Sequence, residues 1–175
     1  LSMMFSNHLT PDSHRGEMPR LLIATRNPGK LVEFRALLWD VPARLLTPDD
    51  LGIKEEVREI GGTYAENAAL KARAYSAVAG LPALADDSGL EVEVLGGAPC
   101  IKSHRYAPQP HATDADRRAY LLDRLSAFPR PWQAKFCCAV VIVSTEGNLW
   151  LGEGACHGEI IPEERGSNGF GYDPI

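Results

Sequence analysis

Apolar and polar positions along the chain switch between a period near two and a period near four. Leu21-Leu22-Ile23-Ala24-Thr25 is a short apolar run stopped by Asn27-Pro28-Gly29, which reads as a strand ending in a turn. Lys30 to Trp39 then places Leu31, Phe34, Leu37 and Leu38 on one helical face,. Pro42 and Pro48 bracket a possible short strand, and Thr63 with Glu66 opens an Ala-rich helix that stops at Gly80,. Ala83 to Leu95 alternates apolar and acidic residues and predicts two strands separated by a turn at Asp86-Asp87-Ser88-Gly89. Gly96-Gly97-Ala98-Pro99 is a loop, and Thr113 with Asp116 starts a helix carrying Tyr120, Leu121, Leu122 and Leu125,. Phe136 to Thr145 is the strongest strand signal, returned by Glu146-Gly147-Asn148 into a second strand at Leu149 to Glu153,. Alternating strands and helices with an antiparallel hairpin predict an α/β fold. Leu1 to Glu17 has no apolar period. Residues 1–19 are expected to be a disordered extension or cloning remnant, and residues 20–175 a single domain.

A chain of 175 residues with 45% hydrophobic positions can bury one sizeable core,. Eighteen Lys and Arg against 23 Asp and Glu give a net charge of -5. That balance opposes holding a nucleic acid by its phosphates, so no nucleic-acid partner is expected. It leaves room for a small anion at a local cluster of lysines. The longest apolar stretch, Cys137 to Val143, is too short to span a bilayer,, and no membrane partner is expected. The four cysteines, at 100, 137, 138 and 156, form no CxxC pair, which suits reduced thiols in a cytoplasmic protein. Cys137 and Cys138, adjacent in a strand, would face opposite sides.

Several segments carry chemistry-bearing residues. Thr25-Arg26-Asn27-Pro28-Gly29-Lys30 joins a strand to a helix with a lysine in its first turn, an arrangement that favours an anion,. It lacks the spacing of a Walker A loop, and a plain βα turn with a solvated lysine reads equally well. Tyr64, Asn67 and Lys71 share one face of the Ala-rich helix, either as a solvated stripe or as a partly buried lysine seeking an anion,. Asp86 and Asp87 are adjacent carboxylates whose repulsion a divalent cation would relieve, and Mg²⁺ suits such oxygen ligands. A polar turn with Gly89 at positive φ is the alternative. Glu59 is a possible further ligand or part of a solvated acidic loop. Phe170-Gly171-Tyr172-Asp173 offers aromatics among glycines, suited to close approach to a flat ring or to a flexible terminus,.

In order, Thr-x-Asn-x-x-Lys, Glu-Asn-Ala-x-x-Lys-Ala, Ala-Asp-Asp-Ser-Gly-Leu, Gly-Gly-Ala-Pro with Ser-x-Arg-Tyr-Ala, and Gly-Phe-Gly-Tyr-Asp-Pro make the chain from Leu21 to Ile175 resemble the inosine triphosphate pyrophosphatase family. The resemblance implies an elongated two-lobed α/β fold, with a long mixed sheet flanked by helices around a central cleft, and usually a homodimer. It implies Mg²⁺-dependent hydrolysis of ITP, dITP and XTP to the monophosphate and pyrophosphate, which cleanses the nucleotide pool. Thr25, Arg26, Asn27 and Lys30 would then contact the triphosphate together with Asn67, Lys71 and Ser88. Asp87, Asp86 and Lys71 would be catalytic, with Asp87 as proton acceptor. Glu59 and Asp87 would hold the metal, and Phe170, Gly171, Tyr172 and Asp173 would line the base pocket. Three departures accompany the match: Cys100 stands where the family has Gly, His104 stands at a small-residue position, and the chain ends at Ile175. The family's following segment, with a Lys and a Ser-His-Arg against the base, is expected to be missing. The alternatives are a catalytically impaired nucleotide-binding module and a pyrophosphatase of the septum-formation-inhibitor type, against which the Phe170 to Asp173 segment argues.

Overall fold

The computed structural model describes residues 18–175, so the expectation for residues 1–17 lies outside it. Five strands form one mixed sheet: β1 (Arg20–Ile23), β2 (Arg44–Leu46), β3 (Ala83–Val92), β4 (Trp132–Val143) and β5 (Leu149–Ile160), in the order β2-β1-β3-β4-β5. β1 runs parallel to both β2 and β3, and the β3–β4 and β4–β5 pairs are antiparallel. The Pro19 carbonyl already accepts from Arg44 N–H at 2.7 Å, extending the β1–β2 ladder by one residue.

Three helices flank the sheet: α1 (Pro28–Leu37), α2 (Tyr64–Ala79) and α3 (Asp114–Leu125). Their ends follow the expected caps. Thr63 accepts from Glu66 N–H, Gly80 closes α2 in the left-handed conformation, and Thr113 with Asp116 forms a complete capping box,. At α2 the box is displaced by one residue, because the Glu66 carboxylate accepts from Gly62 N–H at 2.7 Å rather than from Thr63.

Two apolar clusters lie on opposite faces of the sheet. α2 packs Ala68, Ala72 and Tyr75 against Ala83, Ala85 and Val141. α3 packs Leu121 and Leu125 against Leu90, Val92, Trp132 and Ile160. The long mixed sheet with a helix-covered core on each side is the α/β architecture the resemblance implied. The alternation of faces along β3 and β4 is what lets one strand serve both cores.

Three sequence expectations are corrected. β3 is unbroken: Asp86, Asp87, Ser88 and Gly89 pair in register with Val140, Ala139, Cys138 and Cys137. Gly89 is not at positive φ. A Cβ there would collide with the Cys100 carbonyl and crowd the Ser103 and Tyr64 hydroxyls, so close approach explains the glycine,. β5 runs to Ile160 rather than stopping at Glu153. It is an exposed edge strand containing Gly152, Gly154 and Gly158 and has no apolar alternation to read. On α1, Leu31, Phe34 and Leu38 are half-buried, but Leu37 stays 73% exposed, so the expected face is only partly covered.

Candidate active site

β1 has β2 on one side and β3 on the other, although β3 follows much later in the chain. The chain order therefore reverses at β1, and the crevice beyond its carboxyl end is where open α/β sheets present ligand-binding residues. Thr25 to Lys30 emerges there. Past Leu84, β3 has no β1 partner, so Asp86 and Asp87 stand beside this opening.

Because successive strand residues point to opposite faces, the adjacent carboxylates take different partners. Asp86 Oδ2 receives Lys30 Nζ at 2.6 Å, with the two side chains 5% and 14% exposed. Asp87 Oδ2 accepts from Asn67 Nδ2 at 2.9 Å on the α2 side, and its Oδ1 accepts from Ser88 N–H at 3.0 Å. The mutual repulsion expected from the sequence is thus relieved by separation and by a lysine, without requiring a metal. The second lysine, Lys71, lies on the Asp87 side and pairs with Glu59 Oε1 at 2.8 Å.

The electrostatics differ on the two faces. Burial pushes the Asp87 carboxyl above its usual range and Glu59 adds to the rise, outweighing the Asn67 hydrogen bond and the charges of Lys71 and Lys30,. For Glu59, burial acts upward, but the hydrogen bond and charge of Lys71, with help from Lys30 and Arg105, bring the carboxyl below its usual range. On the Asp86 face, burial and the charges of Asp173 and Asp86 push Glu33 up, against the pull of Lys30. Asp86 Oδ1 is buried without a hydrogen-bond partner, so Asp86 can still accept a proton-bearing ligand group.

The remaining expected residues fall into distinct roles. Asn27 Oδ1 accepts from Gly29 N–H at 2.9 Å and from Lys30 N–H at 3.4 Å, and its carbonyl accepts from Leu31 N–H. With Pro28 in the first turn, the amide donors at the start of α1 are already used. An anion here would meet the Lys30 ammonium rather than free helix amides. Thr25 Oγ1 accepts from Asn27 N–H at 3.2 Å and shapes the same turn.

Arg26 is turned away from the opening: its guanidinium donates to the carbonyls of Ile53 and Glu55 and to Asp49. These bonds tie the Thr25–Lys30 turn to the segment from Asp49 to Glu55. Asn67 likewise has its polar groups engaged within the protein. It is fully buried, with Oδ1 accepting from Gly61 N–H at 2.8 Å while its amide group holds Asp87. Ser88 is half-buried on β3 beside the two carboxylates.

In the C-terminal segment, the Phe170 ring lies directly on Gly29, where a Cβ would overlap it. Tyr172 is not free to stack on a ligand ring. It is 4% exposed in the α3-side core, and its hydroxyl donates to the Ser103 carbonyl at 2.9 Å. Asp173 Oδ2 accepts from Phe170 N–H at 2.9 Å.

Glu33 lies outside the residues singled out from the sequence, and Ser103 enters there only as the first residue of Ser-x-Arg-Tyr-Ala, with no role attached. Glu33 stands one turn after Lys30, a helical spacing that could have drawn notice. Ser103, which accepts from Leu90 N–H and donates to the Cys100 carbonyl, has no local signal because its partners lie at the other strand and on its own turn.

Glu59 and Asp87 are hard oxygen donors on one side of β3, facing the same lysine. Among the described residues no group of three or more His, Cys, Asp or Glu is arranged to hold a metal alone. Two carboxylates fit a hard divalent ion that keeps water and phosphate oxygens in its remaining positions. No helix of the described residues is long and apolar enough to cross a membrane.

Residues 21–175 match the sequence profile of the Ham1 family, and the chain belongs to that family, as the ordered motifs indicated. Relatives include the dITP/XTP pyrophosphatases of Geobacter sulfurreducens, 43% identical over 90% of this chain and 79% of that one, and of Xanthomonas campestris pv. campestris, 43% identical over 90% and 80%. Among solved structures, a HAM1 protein from Coxiella burnetii is 38% identical with a TM-score of 0.80, covering 90% of this chain and 81% of that one. The nucleoside-triphosphatase / dITP/XTP pyrophosphatase of Mycobacterium abscessus is 40% identical with a TM-score of 0.73, covering 89% and 82%.

Proposed function

We propose that this chain is a nucleoside triphosphate pyrophosphatase that converts ITP, dITP and XTP to the monophosphate and pyrophosphate. The observation that carries the reading is the pair of lysines bracketing β3, Lys30 with Asp86 on one face and Lys71 with Glu59 on the other, around the buried Asp87. The names of the chain's relatives supply the substrate class.

Phosphoanhydride hydrolysis asks the protein for charge neutralisation and a placed water, with little covalent work. Lys30 and Lys71 neutralise phosphate oxygens. Asp87, held by Asn67 and raised in proton affinity by burial, orients the water and takes its proton,. Glu59 and Asp87 would hold Mg²⁺, which when bound adds positive charge at the phosphates. Donors aimed at the 6-keto oxygen of the base would reject adenine, whose 6-amino group leaves them unpaired.

We further read the protein as a cytoplasmic homodimer. Support comes from the unbonded thiols at 100, 137, 138 and 156 and from the long exposed β5 edge, where Leu149, Trp150 and Leu151 offer apolar area to a second copy,.

The test is pyrophosphate release from dITP, XTP, dATP and dGTP with Mg²⁺ and again with excess chelator. Release from dITP and XTP alone, lost on chelation, is expected. No release from any purine triphosphate overturns the reading.

A further inference from the structure

Gly171 is gripped on both sides by one helix. Its N–H donates to Asp114 Oδ2 at 2.8 Å, and its carbonyl accepts from Arg118 Nη1 at 2.8 Å. Asp114 and Arg118 lie four residues apart in the first turns of α3, a spacing that ordinarily brings such a pair together. Here each reaches out to the C-terminal segment instead. Both grips are themselves braced: Arg117 pairs with Asp114, and Glu164 Oε1 lies 2.7 Å from Arg118 Nε. The Arg118 side chain is 13% exposed, which strengthens a hydrogen bond from its charged group,. Gly171 sits at φ 62°, a conformation that a side chain would strain,.

The residues on either side extend the grip in two directions. Tyr172 is pinned to Ser103 on the 3-10 turn Cys100–Arg105. Phe170 lies on Gly29, between the Asn27 cap and Lys30. A chain of contacts therefore runs from the start of α3, through one peptide, to the turn that presents Lys30.

We propose that Asp114 and Arg118 are positioning residues for the nucleotide site: by clipping the Gly171 peptide they seat Phe170 on Gly29 and so hold the Lys30 turn and the Phe170–Asp173 segment in one arrangement before substrate arrives. The inference rests on the nucleotide-site reading given above. Neither side chain touches the reacting atoms. Releasing the clip leaves the segment to be ordered at the moment of binding, so the competent fraction of the free protein falls and the apparent affinity falls with it. Once substrate is bound the same arrangement is restored, and turnover is largely retained.

The variants are Asp114→Ala, which removes the acceptor of the Gly171 N–H, Arg118→Ala with its conservative counterpart Arg118→Lys, which act on the Gly171 carbonyl, and Glu164→Gln, which removes the charge of the brace but leaves both Gly171 bonds. In the ligand-free protein, hydrogen exchange at the Gly171 amide should quicken about tenfold or more in Asp114→Ala, which removes the oxygen that accepts it, a change this size reflecting loss of a local hydrogen-bonded lock. In both alanine variants KM for dITP should rise by a similar factor of about ten with kcat within about threefold, as expected when a pre-organising contact is lost. Arg118→Lys should recover part of the KM, and Glu164→Gln should stay close to wild type.

Unchanged exchange at Gly171 in Asp114→Ala overturns the clip. Faster exchange with an unchanged KM, or a drop in Tm alone, overturns the positioning role and leaves a merely structural contact. If the wild-type protein turns over no nucleotide, the function proposed above fails. The clip is then still judged by exchange, and positioning by the Kd of dITP: weaker binding in Arg118→Ala supports it and equal binding overturns it.

Discussion

Asp86 and Asp87 are neighbours in the chain but take different partners. One receives Lys30 Nζ at 2.6 Å on one face of β3, and the other receives Asn67 Nδ2 at 2.9 Å on the opposite face. A single strand thus carries two carboxylates into two environments, one ion-paired and one desolvated. Divided roles follow: Asp86 fixes a lysine, and Asp87 has its proton affinity raised by burial.

The Lys30–Asp86 pair is nearly buried, so removing one partner is expected to be costly. Lys30→Met should destabilise the fold by about 3–5 kcal/mol, because a desolvated carboxylate is left alone. Adding Asp86→Asn should recover most of that loss while pyrophosphate release stays abolished. Denaturant melts of the two single variants and the double variant check this as a thermodynamic cycle. Additive losses would mean the pair is not coupled.

Asn67 has both ends of its amide in use, toward Gly61 N–H and toward Asp87. Asn67→Ala is expected to cost about 1–3 kcal/mol for each partner left bare. It should also move the acidic limb of the pH–rate profile upward, since the Asn67 hydrogen bond lowers the proton affinity of Asp87. A shift in the opposite direction would remove Asn67 from that role.

Gly89→Ala places a methyl group against the backbone carbonyl of Cys100, which cannot swing aside as a side chain can. An overpacking cost of about 1–3 kcal/mol is expected, readable as a lower midpoint of unfolding. An unchanged midpoint would show that the 3-10 turn yields at no cost.

The sign of the Asp87 effect on stability can be worked out directly. Its folded proton affinity is raised by burial above the unfolded value of 3.8, so the native state holds this proton more tightly. The group's contribution is most favourable to folding below the unfolded pKa, and it turns unfavourable as pH rises through the folded pKa. Asp87→Asn should therefore gain in Tm relative to wild type as pH rises above the unfolded value of 3.8,. A relative loss of Tm over that rise would contradict the burial argument.

Much of the frame was legible in the chain. The caps at Thr63, Thr113 and Gly80 lie where their short-range chemistry places them, because a cap depends on residues three or four positions away. Lys30 could be suspected as anion-seeking from its place in the first turn after a strand, and Lys71 from its Ala-rich helix. What could not be read locally depended on distant partners. Asp-Asp-Ser-Gly has the composition of a turn, yet it continues as strand because β4 supplies a full ladder and each carboxylate finds its donor on its own face. Tyr172 has the look of a stacking residue, but Ser103, far away in sequence, claims its hydroxyl. Arg26 sits among phosphate-loop residues, and only the fold brings the Ile53 and Glu55 carbonyls to it.

The most direct measurement is single-turnover pyrophosphate release from dITP with Mg²⁺ by the wild-type protein and by Asp87→Asn, with the dITP-induced rise in Tm recorded for both. The account predicts release by the wild type, a loss of about 10²- to 10⁴-fold in the variant, as for removal of a general base, and a retained Tm rise showing that the nucleotide still binds. Release by Asp87→Asn at close to the wild-type rate would contradict it.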